Sequence, residues 1–190
     1  MAAIFDGSPD QKFYFKLGAL KENCKGMSLD FQKFMESTRQ QLTYREALTK
    51  AMDICGRSEK CRYDIELKCR EWQLSKEETV QLTNTLLKEK FIDQQRYANS
   101  FVNDKFKFNK WGKIKLAYAL RQKKLEEKMI REALTHIPEN TYREVLSDLL
   151  SAKAKTIREN DAYTRRSKLM AFAQSRGFEA DTAMKVVDRL

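Results

Sequence analysis

Between Lys105 and Lys124 the sequence sets eight basic residues and no acidic one: Lys105, Lys107, Lys110, Lys113, Lys115, Arg121, Lys123 and Lys124. Phe106, Phe108, Trp111 and Tyr118 are interleaved with them. Closely spaced cations suit phosphate groups, and rings between them suit stacked bases, so these are the residue types of a nucleic-acid contact. A plainer reading stands beside it, in which the aromatics fill a seam between helices and the lysines are solvated. We assign the aromatics to the seam, because Phe101, Phe108 and Trp111 flank a tight connection between helices. The lysines go to a polyanionic partner, because a run without acids is disfavoured by self-repulsion. Arg165, Arg166, Lys168 and Arg176 form a second basic group, evenly balanced between partner contact and solvated face.

Other chemistry has little support. There is one histidine, His136, and no Gly-rich phosphate loop, G-x-S-x-G elbow or paired-carboxylate constellation. No catalytic residue and no cofactor is assigned, and an enzyme is not expected. Cys24, Cys55, Cys61 and Cys69 lack the close knuckle of a zinc site, the nearest spacing leaving five residues between Cys55 and Cys61. They read as reduced, partly buried thiols, with no metal. Glu77-Glu78 and Glu126-Glu127 fall at helix starts, where acids complement the helix dipole.

The formal charge of +10 is unevenly spread. Residues 93–190 hold 21 basic and 13 acidic residues, eight of the ten surplus charges, so the second half is expected to face the polyanion. No apolar run approaches the roughly 20 residues of a membrane helix, and the first residues lack the pattern of a secretory signal. A cytoplasmic protein without membrane contact is expected, and a monomer.

These residues must be held by helices. Two prolines and six glycines in 190 residues, with abundant Leu, Lys, Glu, Arg and Ala, favour an all-α chain. Residues 1–41 contain three of those glycines, with Pro9, and no sustained period, and read as a poorly structured extension with a short helix near Phe31–Arg39. From Leu42 the apolar spacing is helical. Thr43 precedes a helix with Ala47, Leu48, Ala51 and Met52 on one face, which Gly56 stops. Ser58 is expected to cap the next helix. Ser75-Lys-Glu-Glu78 is a capping box that opens a third.

The pattern then returns. Ile65, Cys69 and Leu74 match Leu116, Leu120 and Leu125, and again Leu169, Ala173 and Phe178, each triplet spaced by four then five. Leu82, Ala133 and Val186 share a further offset, as do Leu86, Ile137 and Leu190. A period near 50 residues made of three helices describes a tandem array. The expected organisation is an extension over 1–41 and repeats over 42–92, 93–138 and 139–190, forming an elongated, curved array.

The stretch KFIDQQRYANSFVNDKFKFNKWGKIKLAYALRQKKLEEKMIREAL, Lys90 to Leu134, through Phe91, Asp93, Arg96, Tyr97 and Ala98 and then Lys110-Trp111-Gly112, resembles the centre of the RecX family of bacterial RecA modulators. SKLMAFAQSRGFEADTAMKVV resembles the family's last unit through Arg176-Gly177-Phe178, and residues 57–74 resemble its first. Gln94 stands where the family usually has a second acid, and Cys69 where leucine is common. The resemblance implies three three-helix repeats that bind the RecA filament on DNA, lying in its groove or capping its end. It further implies damping of ATP hydrolysis, strand exchange and co-protease activity in the DNA-damage (SOS) response. DNA itself, single- or double-stranded, would be touched weakly and through phosphates. Two other readings stay open on the residues alone: a stand-alone nucleic-acid-binding repeat protein, and a helical scaffold for another protein partner.

Overall fold

Thr43 opens the first helix by the rule its sequence suggests. Its hydroxyl accepts the Glu46 N–H while the Glu46 carboxylate takes the Thr43 N–H at 3.0 Å, closing a reciprocal cap. This computed structural model describes residues 41–158 and 161–189. The expected extension and its short helix, up to residue 40, lie outside the described residues, as does Leu190. The described residues form nine helices and no strand. They are α1 (Tyr44–Arg57), α2 (Arg62–Glu71), α3 (Lys76–Lys88), α4 (Gln94–Asn109) and α5 (Lys113–Gln122). After them come α6 (Glu127–Thr135), α7 (Glu139–Ala154), α8 (Ala162–Arg176) and α9 (Ala180–Val187).

The helices pack in consecutive threes. α3 packs on α1 and α2, α6 on α4 and α5, and α9 on α7 and α8. Ser75 and Glu78 cap α3 reciprocally, and Asp93 accepts the Arg96 N–H at 2.9 Å to start α4. The repeated triplets mark one recurring turn. After the second helix of each three, Leu74, Leu125 and Phe178 return their N–H to Cys69, Leu120 and Ala173, at 3.0, 3.3 and 3.1 Å. The residue before each has left-handed backbone: Gln73 at φ 59°, Lys124 at 58° and Gly177 at 84°. This is a Schellman-type stop whose apolar residue folds back onto the core.

The core is divided. Ile65, Cys69, Leu82, Leu86 and Ile92 form a cluster within the first three helices. A second cluster runs without interruption from Val102 and Leu116 through Leu146 and Phe178, so the second and third sets of helices share one interior. Cys61, though it precedes α2, is buried in the second cluster.

Three expectations are corrected. Gly56 does not stop α1, which runs to Arg57, held by an ion pair of Arg57 with Asp53. Ser58 caps no following helix; it closes α1 by returning its N–H to Ile54 at 3.3 Å. The N-cap of α2 is Cys61, where the Asp64 carboxylate accepts the thiol at 3.2 Å. The expected connection flanked by Phe101, Phe108 and Trp111 is also shorter, since Phe101 and Phe108 lie inside α4. α4 continues to Asn109 and α5 begins at Lys113, leaving only Lys110, Trp111 and Gly112 outside a helix.

Candidate docking surface and the joints that position it

The first N–H groups of a helix have no partner within it, nor have its last carbonyls. At the joint between the second and third repeats, each set satisfies the other. Gly112 donates to the Arg176 carbonyl at 2.8 Å, and Ile114 donates to the Gly177 carbonyl at 3.0 Å. The start of α5 therefore sits on the end of α8, joining the positive end of one dipole to the negative end of another. Glycine is required on both sides. A Cβ on Gly112 would lie 2.2 Å from the Gly177 oxygen, and one on Gly177 would lie 2.3 Å from the Cβ of Lys115. The Arg176 guanidinium reaches back to the Asn109 carbonyl at 3.4 Å.

Tyr142, buried on α7, supplies the remaining partner. Its hydroxyl accepts the Lys113 N–H at 3.0 Å and donates to the Glu179 carboxylate at 2.6 Å. Burial, and then the Glu179 carboxylate, push the phenol well above its ordinary pKa. Its ring packs between Phe106 and Phe178, with centroids 5.9 and 5.0 Å away. The Lys113 ammonium lies over the same ring and pairs with Glu139, whose carboxyl is held below its usual range by that lysine.

The joint between the first and second repeats uses the same positions, but through side chains and without the two backbone bonds among the described residues. Tyr97 stands four residues after its cap Asp93, as Tyr142 stands four after Pro138. The Tyr97 hydroxyl meets Asp64 and Cys61 at the start of α2, and burial foremost raises its pKa. Lys123 pairs with Asp64 at 2.6 Å, and Lys124 lies over the Tyr63 ring at 5.1 Å. Gln94 accepts the Arg62 N–H at 3.0 Å, and Arg96 pairs with Glu59 at 2.7 Å. The second Glu59 carboxylate oxygen is buried without a hydrogen-bond partner among the described residues. Burial drives the Cys61 thiol up to about 12, with Asp64 adding to it, so it stays protonated and inert.

These joints alter how the basic run is read. Lys113, Arg121 and Lys123 are matched by Glu139, Glu127 and Asp64, acids supplied from outside the run. Lys105 and Lys115 lie over Trp111, at 5.4 and 4.5 Å from its centroid. Architecture thus accounts for most of these cations. Lys107 and Lys110 pair with no described residue. In the second basic group Arg166 pairs with Asp188, Arg176 serves the joint, and Lys168 is exposed. Arg165 makes no ion pair with a described residue.

The aromatics divide as well. Phe106 and Trp111 are buried, and Phe101 meets Trp111 edge-on, as a seam requires. Phe108 and Tyr118 do not fill it: they are 75% and 62% exposed, because they lie on the outer faces of α4 and α5. Among the described residues no group of three His, Cys, Asp or Glu stands close enough to hold a metal ion. None of their helices is long and apolar enough to cross a membrane.

Sequence reasoning found both glycines, at the ends of α5 and α8, but not that they meet. Two signals pointed there: each glycine sits at a helix end beside a basic residue, and Tyr97 and Tyr142 share a position after their caps.

The joint between the second and third repeats lies between the two parts that a known family shares. The family model for the second three-helix domain of RecX matches residues 93–134, and that for the third matches 141–187. The chain belongs to the RecX family. Regulatory protein RecX of Clostridium acetobutylicum is 26% identical over 158 residues, covering 81% of this chain and 72% of the relative. The protein of the same name from Clostridium botulinum Alaska E43 is 35% identical over 114 residues. That match covers 58% of this chain and about half, 53%, of the relative. The crystal structure of RecX from Lactobacillus salivarius superposes with a TM-score of 0.70 at 17% identity, covering 77% of this chain and 96% of that one. This last likeness concerns the fold. Within the RecX family, then, Gly112 and Gly177 are the meeting point of the two matched domains, and the family assigns the chain a regulatory role.

Proposed function

We propose that this chain binds the RecA filament on DNA and inhibits it, lowering ATP hydrolysis, strand exchange and co-protease activity in DNA repair and the SOS response. It does so as a binding protein of the cytoplasm, without catalysis of its own. What carries the reading, beyond family membership, is that both joints set the start of one repeat's second helix against the end of the next repeat's second helix. Tyr97 with Lys123 and Lys124 meets the start of α2 as Tyr142 with Arg176 and Gly177 meets the start of α5. A joint repeated in register sets successive units in one relation, which suits a partner that is itself repetitive. The basic surplus favours a polyanion-bearing partner. Its phosphate contacts fall to Lys107, Lys110 and Arg165, the cations of the assigned set that engage neither an acid nor a ring among the described residues.

The test follows ATP hydrolysis by RecA on single-stranded DNA as this chain is added. Inhibition at stoichiometric or lower dose is expected. Hydrolysis that is unchanged at that dose refutes the reading. The Lys107→Glu/Lys110→Glu pair should weaken inhibition and flatten its salt dependence while leaving helical content intact. Tight binding to DNA without RecA, falling steeply with salt, would favour a stand-alone nucleic-acid binder instead.

A further inference from the structure

The second helix of each repeat turns one pair of positions, four residues apart, in a common direction. In the first repeat the pair is Tyr63 and Leu67, half-buried, with the Lys124 side chain lying across the Tyr63 ring. In the third it is Ser167 and Ala171, both exposed and neither large. In the second it is Ile114 and Tyr118, which remain 55% and 62% exposed.

The cause lies in the joint. The residue equivalent to Lys124 is Gly177, and the close approach to Gly112 and Lys115 forbids any side chain there. Nothing can be laid over Ile114 as Lys124 is laid over Tyr63. Where a pair is uncovered in the third repeat the sequence uses small or polar residues, whereas in the middle repeat it keeps a large aliphatic and an aromatic. The fold has no use for that exposure. The face is also rigid, since the Ile114 N–H is fixed on the Gly177 carbonyl and α5 is anchored by Tyr142. A rigid apolar pair loses little freedom on binding.

We infer that Ile114 and Tyr118 form a docking face for a protein partner that presents an apolar side chain flanked by carboxylates. The inference rests on the reading above, in which that partner is the protein part of the RecA filament. Charge complementarity selects the carboxylates: Lys110, just before α5, has no partner among the described residues, and Lys115 on α5 lies over the Trp111 ring, whereas Lys113 and Arg121 already meet Glu139 and Glu127. Shape selects protein over nucleic acid. An isoleucine beside one tyrosine is an anchor of the kind found at interface centres, whereas strand binding uses successive rings on which bases stack.

The experiment uses the full chain and two readouts: inhibition of RecA ATP hydrolysis on single-stranded DNA, and binding to the same DNA without RecA. Ile114→Ser with Tyr118→Ser should raise the dose for half-inhibition by about tenfold or more. DNA binding alone and the melting temperature should stay at wild-type values, because both side chains face solvent. Tyr118→Phe should restore most of the inhibition. Tyr118→Glu should weaken inhibition more than Tyr118→Lys does, since only the glutamate opposes the partner's carboxylates. Unchanged doses for the double variant overturn the inference while leaving the function reading intact. Loss of DNA binding in the double variant also overturns it, in favour of a nucleic-acid face. Equal losses for the glutamate and lysine variants overturn the acidic character of the partner. A wild-type chain without effect on the filament removes the function reading and this inference together.

Discussion

Replacing Gly112 by alanine tests the joint between the second and third repeats more cleanly than any other change. Its φ of −76° and ψ of 164° suit alanine, so no local backbone strain enters. The added methyl would lie 2.2 Å from the Gly177 oxygen, against about 3.3 Å for a close carbon–oxygen contact, so the two chain segments must part by roughly 1 Å. Separation weakens the Gly112–Arg176 and Ile114–Gly177 hydrogen bonds together. Each is worth about 1 kcal/mol net, and a buried group left unpaired costs about 1–3 kcal/mol. Against this, alanine stabilises by about 0.4–1 kcal/mol through a less disordered unfolded chain. The net loss is about 3 kcal/mol, or roughly 6–12 °C in melting temperature for a chain of this size. Gly56→Ala provides the internal contrast: it lies inside α1 with nothing within 4 Å of the new methyl, and should stabilise by about 0.5–1 kcal/mol. Thermal melts followed by far-ultraviolet circular dichroism would read both. If Gly112→Ala melts within about 2 °C of wild type, the backbone joint does not hold the two repeats together.

Tyr142→Phe removes the acceptor of the Lys113 N–H and the donor to Glu179, and should cost about 1–3 kcal/mol in urea unfolding. The folded phenol titrates above its unfolded value near 10, so its stabilisation is complete below about pH 10 and is lost as pH rises beyond it. Melting temperature should therefore fall more steeply between about pH 9 and 11 in wild type than in Tyr142→Phe. Asp64 serves Cys61, Tyr97 and Lys123, so Asp64→Ala should destabilise more than Lys123→Ala, with a coupling in the double-mutant cycle of about 0.5–1 kcal/mol. Lys110 holds a left-handed backbone at φ 56°, so Lys110→Gly should stabilise by about 0.5–1 kcal/mol in denaturant melts. The same variant should weaken filament inhibition, and a gain in both properties would remove Lys110 from the contact set.

What could be read from the sequence was what acts within one turn or one repeat. Ser75 with Glu78, Asp93, and the buried triplet Leu116, Leu120 and Leu125 are local patterns, and each forms as its residue types dictate. Ser58 failed for a local reason as well. A serine suits a cap, but the chain continues α1 through Gly56 and Arg57, and Cys61 with Asp64 begins α2 instead. The site was less legible because its partners are distant. Nothing near Lys113 announces Glu139, nor anything near Lys123 the carboxylate of Asp64, 59 positions away. The exposure of Phe108 and Tyr118 was hidden for a related reason. Alternating lysines and aromatics do not show which ring faces the next repeat until the joint sets the rotation of α4 and α5.

A run of charge along the chain is therefore not a charged surface in the folded protein. The eight cations between Lys105 and Lys124 belong to different places. Lys123 and Lys124 turn back to the first repeat, where Asp64 and Tyr63 engage them. Lys113 belongs to the joint with the third repeat, through Glu139 and Tyr142. Lys105 and Lys115 flank Trp111, and Arg121 meets Glu127 one turn beyond its own helix. Only Lys107 and Lys110, at the end of α4, are left unclaimed by described residues. Reversing the charge of the whole run would break both joints as well as any phosphate contact, and lost binding would say nothing about which surface mattered. Reversing Lys107 and Lys110 alone leaves every described ion pair in place, and so separates recognition from the architecture that presents it.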